Sequence, residues 1–425
     1  MGGRLAAAPQ PWWKKLGPGL ITGAADDDPS GIATYSQGGA RFGYDVAWTV
    51  LLTFPLMVGI QLASARIGRV TGKGLTDNFL RFCPHWVVYG LVCLLVVANV
   101  INLGADLNAM ADAAVLVAGG SRALYALMFG AVSLVLQVRL PYRRYVNVLK
   151  WLTLTLMAYV GVAFAIHVDW WAAIASSFWP RMEWSAAYIT TVVAILGTTI
   201  SPYLFFWQAA QEVEEIRRVP GDMPLRIAPQ QTNANLKRIN RDTFIGMGFS
   251  NLIAFFMIVA TAATLHAQGI VNIETTSQAA LALKPIAGDF AFILFASGII
   301  GTGMLALPVL AGSAAYAVAS VFHWKKGLDR PWTAAKSFYG IIAAAMAVGL
   351  AISVAGVNPI AALYWSAVIN AVISVPIMIA VMLAASSRRI MGDLVLPRTW
   401  KLLGWLATCA MGLATAAMFA ASFFS

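Results

Sequence analysis

The sequence is poor in charge. Only 11% of its 425 residues are Asp, Glu, Lys or Arg, less than half the share usual in a soluble domain. No polar stretch is long enough to form a separate soluble domain. Cys83, Cys93 and Cys409 lack the spacing of a disulfide framework or a zinc site. The four histidines, His85, His167, His266 and His323, are dispersed and form no cluster. There is no His-Glu-x-x-His, no Ser/His pairing and no paired-Asp protease motif, so no enzyme is expected. A net charge of +11 is spread over short loops, which argues against nucleic acid as a partner. The first apolar run is soon broken by acids and has no cleavage site, so no signal peptide is expected.

What is present is apolar sequence: 60% of the residues are hydrophobic. A spanning helix needs about 20 mostly apolar residues. Eleven runs qualify, at about 17–40, 46–66, 87–117, 122–138, 145–168, 187–211, 243–266, 286–322, 335–355, 359–384 and 401–424. With the N-terminus in the cytoplasm, all the Lys and Arg residues except Arg41, Arg122, Arg181 and Lys284 fall in inside segments, a strong positive-inside bias. Tryptophans such as Trp12, Trp13, Trp86, Trp179 and Trp324 sit near proposed span ends, as interfacial anchors do. The expectation is one polytopic domain in the cell inner (plasma) membrane, with the C-terminus outside. Lipid is its surround, and its oligomeric state is open.

Two spans are interrupted. The first contains Asp26-Asp27-Asp28-Pro29-Ser30-Gly31. Carboxylates at membrane depth cost several kcal/mol and persist where they face protein or a water-filled cavity. Pro29 removes a backbone donor, and Gly31 eases departure from helical geometry. A broken helix whose carbonyls and carboxylates form a cation site explains the stretch; a short helix ending in solvated acids is the alternative. The sixth span contains Gly197-Thr198-Thr199-Ile200-Ser201-Pro202-Tyr203. Breaks at matching places in two five-helix halves point to an inverted-repeat transporter. The repeats would cover about 16–170 and 185–385, with an extra helix at about 400–425. Pro308 and Pro376 lack flanking acids and read as kinks.

These residues resemble a known family. Gly17-Pro18-Gly19-Leu20-Ile21, Asp28-Pro29-Ser30-Gly31, Ala33-Thr34, Gln37 and Gly39 are similar to the first helix of the Nramp family of divalent-metal transporters. Arg66-Ile67-Gly68-Arg69-Val70-Thr71-Gly72-Lys73 resembles the end of its second helix, and Ala105-Asp106-Leu107 its third. The resemblance implies an all-α, LeuT-type 5+5 inverted repeat plus one helix, with helices 1 and 6 broken, working by alternating access. It implies no cofactor: the metal is cargo.

Departures from the family pattern bear on the ion. The family's Asp-Pro-Gly-Asn is matched by Asp28, but its Asn position is Gly31. The Met of its Met-Pro-His is Ser201. The resemblance thus leaves Asp28, the Ser201 hydroxyl and the carbonyls of Ala25 and Thr198 as ligands, with Asp27 and Asp26 joining if the chain is unwound there. Asn370 is a further oxygen donor or a helix–helix hydrogen-bonding group. An oxygen-only site, made roomier by Gly31 and Ser201, suits partly hydrated Mg²⁺, and Mn²⁺ as well. This is more like the Nramp-related magnesium transporter branch than the iron and manganese branch. The family's proton route pairs an Asp with a Glu and uses histidines. Asp106 matches the Asp, but Ala109, Tyr203 and Gln208 stand at the other positions, with Asp112 a candidate substitute acid. Entry driven by membrane potential is then expected, at about 4.6 kcal/mol per 100 mV for a divalent ion. The alternatives are a proton-coupled Mn²⁺/Fe²⁺ transporter and a sodium-coupled organic-solute symporter. Asn99, Asn102, Asp106, Asn108 and Asp112 line a vestibule, join helices or touch the ion. Glu212, Glu214 and Glu215 read as a solvated face or an inner mouth attracting cations.

Overall fold

A computed structural model describes residues 18–140 and 152–424. Among the described residues there are helices, turns and loops, and no strand. The first span is two helices, α1 (Pro18–Asp26) and α2 (Pro29–Phe42), parted at Asp27–Asp28. Pro29 occupies the first turn of α2, where its missing N–H costs nothing. Asp28 caps that turn by accepting from the Gly31 N–H. A turn at Gly43–Val46 leads into α3 (Ala47–Thr71). Next come α4 (His85–Ala118) and α5 (Arg122–Arg139). With 34 residues, α4 is about 51 Å long and outreaches the roughly 30 Å hydrocarbon core.

The expected fifth span begins outside the described residues. Its described part is a turn at Leu152–Leu156 and α6 (Met157–Ala165). The chain then bends by 115° into a helix at Trp170–Phe178. The sixth span is again two helices, α7 (Ala186–Thr199) and α8 (Pro202–Arg218). The remaining long helices are α9 (Thr232–Thr264), α10 (Ala291–Val321), α11 (Lys336–Ser353), α12 (Pro359–Ser386) and α13 (Arg398–Phe424). Pro308 and Pro376 lie inside α10 and α12 and, as expected, break neither.

Among the described residues nine helical stretches are long and apolar enough to cross a membrane, or ten with the bent pair as one span. The eleven expected runs exceed this count because α2 continues through its turn into α3 as one stretch, Pro29–Thr71. The expected anchors Trp12 and Trp13, and the basic residues Arg4, Lys14, Lys15, Arg143, Arg144 and Lys150, lie outside the described residues.

Small residues let the broken helices approach their neighbours closely. A Cβ at Gly23 of α1 would overlap the backbone of Gly246 in α9, and one at Gly39 of α2 would overlap the Ile258 carbonyl. A Cβ at Gly197 of α7 would overlap the Ala367 carbonyl of α12. On another flank, α4 packs along α10, α11 and α12. The two breaks meet in the middle of this packing: the Ser30 and Thr198 hydroxyls are 3.4 Å apart, and those of Tyr35 and Thr199 are 2.9 Å apart.

Candidate metal site

The centre of the site is the Asp28 carboxylate, 1% exposed. Its Oδ1 accepts from Ser30 Oγ at 2.6 Å and from the Gly31 N–H at 2.9 Å. Its Oδ2 accepts from Asn102 Nδ2 and from the Tyr203 hydroxyl, both at 3.0 Å. Tyr203, one residue past Pro202, also reaches the Ala25 carbonyl at 3.4 Å. Ser201 caps no backbone N–H of α8. Its hydroxyl lies 2.8 Å from the carbonyls of both Gly197 and Thr198. Asp28, Ser201, Ala25 and Thr198 therefore all lie around the two facing breaks.

Asp27 and Asp26 do not converge on Asp28. Ser250 Oγ of α9 lies 2.6 Å from Asp26 Oδ2 and 3.0 Å from Asp27 Oδ1. One turn of backbone points successive side chains to different faces, so only one of three adjacent acids can face the gap. Among the described residues no group of three or more His, Cys, Asp or Glu side chains is arranged to hold a metal.

The room expected at Gly31 is not there. A Cβ at that position would lie 3.3 Å from the Tyr35 ring and 3.4 Å from Thr198 Oγ1. Tyr35 fills the volume that a smaller residue would leave. Gly31→Asn should accordingly crowd Tyr35 and cost about 1–3 kcal/mol of stability; thermal unfolding of the purified protein in detergent measures this.

The other intramembrane polar residues divide clearly. Asn99 donates to the Leu310 carbonyl and Ser313 Oγ of α10, a helix–helix tie, and Asn108 to the Val357 carbonyl in the loop between α11 and α12. Asp112 accepts from Thr276 and pairs with Arg122, so it is no free substitute acid near the site. Asp106 is fully buried, and neither carboxylate oxygen has a hydrogen-bond partner. Asn370 of α12 is also fully buried without a hydrogen-bond partner, so it makes no helix–helix hydrogen bond. One turn along, Ser374 donates to the Ile200 carbonyl at the α7–α8 break at 3.0 Å, which places the Asn370 face of α12 toward that break.

Glu212 and Glu214 are not a solvated face: they are 0% and 2% exposed. Glu212 pairs with Arg238 at 2.6 Å, and Glu214 accepts from the Tyr316 hydroxyl at 3.1 Å. They read as solvated because they follow an apolar run, but α9 and α10 cover them.

Sequence reasoning leaves Tyr203 and Ser30 out of the ion site, and offers contact with the ion as only one of three roles for Asn102. It places Tyr203 only at a proton-route position. A signal for Asn102 exists: Asn99, Asn102 and Asp106 recur at three and four residues along one face of the largely apolar α4.

Among the described residues no basic side chain pairs with Asp26, Asp27, Asp28 or Asp106. Buried carboxylates without a cationic partner are costly. The arrangement can offset that cost by taking a cation, whose ligands would be carboxylate, hydroxyl and carbonyl oxygens.

Known proteins bear on this geometry. The chain matches the Nramp family, described as natural resistance-associated macrophage protein-like, over residues 19–421. It is 27% identical over 403 residues to the divalent metal cation transporter MntH of Deinococcus radiodurans, covering 92% of this chain and 86% of that protein. The crystal structure of the Eremococcus coleocola manganese transporter superposes with a TM-score of 0.75 at 17% identity, covering 96% of this chain and 87% of that one. The inward-facing structure of Mhp1 superposes less closely, with a TM-score of 0.54 at 15% identity and coverage of 96% and 91%. The fold is thus the LeuT type expected, with its first and sixth helices broken. The chain is a multi-pass membrane protein and belongs to the Nramp family of transporters, not to an enzyme family.

Proposed function

We propose that this protein carries divalent metal cations across the plasma membrane by alternating access, Mg²⁺ foremost and Mn²⁺ as well, without obligatory proton coupling. The single observation behind this reading is a set of buried carboxylates, centred on Asp28, that no basic side chain offsets among the described residues. Relatives named as divalent metal cation transporters support the class of cargo.

The finer assignment rests on donor chemistry. Ser201 presents a hydroxyl where the family has a thioether, and Tyr203 a phenol where it has an imidazole. Hard oxygen donors favour Mg²⁺ and Mn²⁺ over softer metals. Mg²⁺ keeps several waters when bound, and Ser30, Ser201, Tyr203 and Asn370 offer those waters hydrogen-bonding groups. Neither Tyr203 nor Gln208 titrates near neutral pH, which removes the expected proton carriers from α8. The positive-inside bias orients the chain with its N-terminus in the cytoplasm. The two halves, about 16–170 and 185–385, would rock about the site, with the last helix appended.

Flux into proteoliposomes with internal pH recorded tests the assignment. Mg²⁺ and Mn²⁺ should enter down an inside-negative potential without acidifying the lumen. Entry of Fe²⁺ or Cd²⁺ without Mg²⁺ would refute the cargo, and stoichiometric acidification would refute uncoupled transport.

A further inference from the structure

We infer that Asn102 of α4 is a switchable metal ligand: its amide turns over so that Oδ1 faces the cation at Asp28 when the site is loaded. This rests on the cation-site reading of Asp28 above and adds a ligand from a third helix.

The inference starts from hydrogen-bond polarity. Asn102 is fully buried. Its Nδ2 donates to Asp28 Oδ2 at 3.0 Å, and its Oδ1 accepts from Ser366 Oγ at 2.8 Å. The amide therefore bridges α2, α4 and α12. An amide carries donors on one side and an acceptor on the other, so a half-turn about its last bond exchanges them. Most buried amides cannot make that turn, because a partner would be left unpaired. Asn99 is fixed in this way, since the Leu310 carbonyl takes only a donor. Asn108 is fixed by the Val357 carbonyl.

Asn102 differs because both of its partners tolerate the exchange. Ser366 Oγ lies 2.7 Å from the Leu363 carbonyl as well as 2.8 Å from Asn102 Oδ1. After the turn, its hydrogen goes to Leu363 and its lone pair accepts the Asn102 N–H. On the other side, the cation replaces the N–H as the positive partner of Asp28 Oδ2, and Asn102 Oδ1 coordinates that cation. Every group stays satisfied in both states. Asn102 would then supply, from another helix, the side-chain amide oxygen that Gly31 lacks. The same turn links occupancy of the site to a contact between α2 and the α4–α12 pair.

Direct binding of Mn²⁺ and Mg²⁺ to the purified full-length protein tests this, with Asn102→Leu and Asn102→Asp beside wild type. Asn102→Leu keeps the size but removes the oxygen, and should weaken both ions about tenfold or more. Asn102→Asp keeps an oxygen ligand and should bind Mn²⁺ at least as tightly as wild type. A residue that only holds Asp28 in place by donating an N–H would give the opposite result, because a carboxylate there donates nothing and repels Asp28. Equal weakening in both variants, or wild-type binding by Asn102→Leu, overturns the proposal. If Asn102→Leu does not fold, Asn102→Asp decides alone: tight Mn²⁺ binding supports the inference and loss of binding overturns it. Failure of wild type to bind either ion would sink the cation-site reading itself, a separate outcome.

Discussion

Asp28→Asn is expected to bring Mg²⁺ and Mn²⁺ flux into proteoliposomes down to the background of protein-free vesicles, at least about a hundredfold. Loss of an outer-shell partner alone costs 10- to 100-fold at a metal site, and Asp28 is the only one of three adjacent acids that faces the gap. The substitution is chosen so that folding and function separate. Asn caps a helix about as well as Asp, so the bond from the Gly31 N–H survives and α2 still starts at Pro29. Ser30 keeps its acceptor, since the amide oxygen takes the Oδ1 position. On the Oδ2 side an N–H replaces the acceptor, so the Tyr203 hydroxyl turns to the Ala25 carbonyl and the Asn102 amide turns its oxygen toward residue 28. What disappears is one negative charge and the ability to hold a divalent ion. Thermal unfolding should therefore change by no more than about 1 kcal/mol while flux is lost. Flux above half of wild type would show that the ion does not bind at Asp28.

The second large effect is on stability. Arg238→Met should destabilise the protein by about 3–5 kcal/mol, read as an earlier unfolding transition in detergent. Arg238 of α9 joins Glu212 of α8 at 2.6 Å and Asp242 one turn along at 3.1 Å. Both carboxylates are at most 1% exposed. Most of the cost falls on Glu212, which would keep a buried charge without its close cation. The pair variant Arg238→Met with Glu212→Gln should recover much of the loss, because the orphaned charge goes too. No recovery would mean that the guanidinium acts through packing instead. Since α8 is the second half of the broken sixth helix, the pair also ties that half to α9. Loosening it should shift the balance between inward-open and inward-closed forms.

The two breaks are legible in the sequence because their causes are local. A proline cannot donate to the preceding turn, and Asp28 and Ser201 stand just ahead of one. The membrane character and most helices follow from hydropathy, which is likewise a property of short windows. The run at 286–322 became α10 from Ala291 to Val321 with its proline inside, and 359–384 became α12 almost to the residue. Glu212 and Glu214 went the other way. Three acids after an apolar run look solvated from within one helix, and nothing in that helix announces that Arg238 and Tyr316 lie across from them.

The composition of the site shows the same division. Chain order alone decided that a carboxylate and freed carbonyls would lie where two apolar helices are interrupted. Only the tertiary structure decided which acid turns inward, that Tyr35 occupies the space beside Gly31, and that Asn102 and Tyr203, 74 and 175 residues away, meet on one oxygen of Asp28. Those choices depend on how far each helix is rotated about its axis when small residues such as Gly23, Gly39 and Gly197 dock against their neighbours. A rotation of one residue, about 100°, carries a side chain from the gap to another face, and no short window of sequence records that angle.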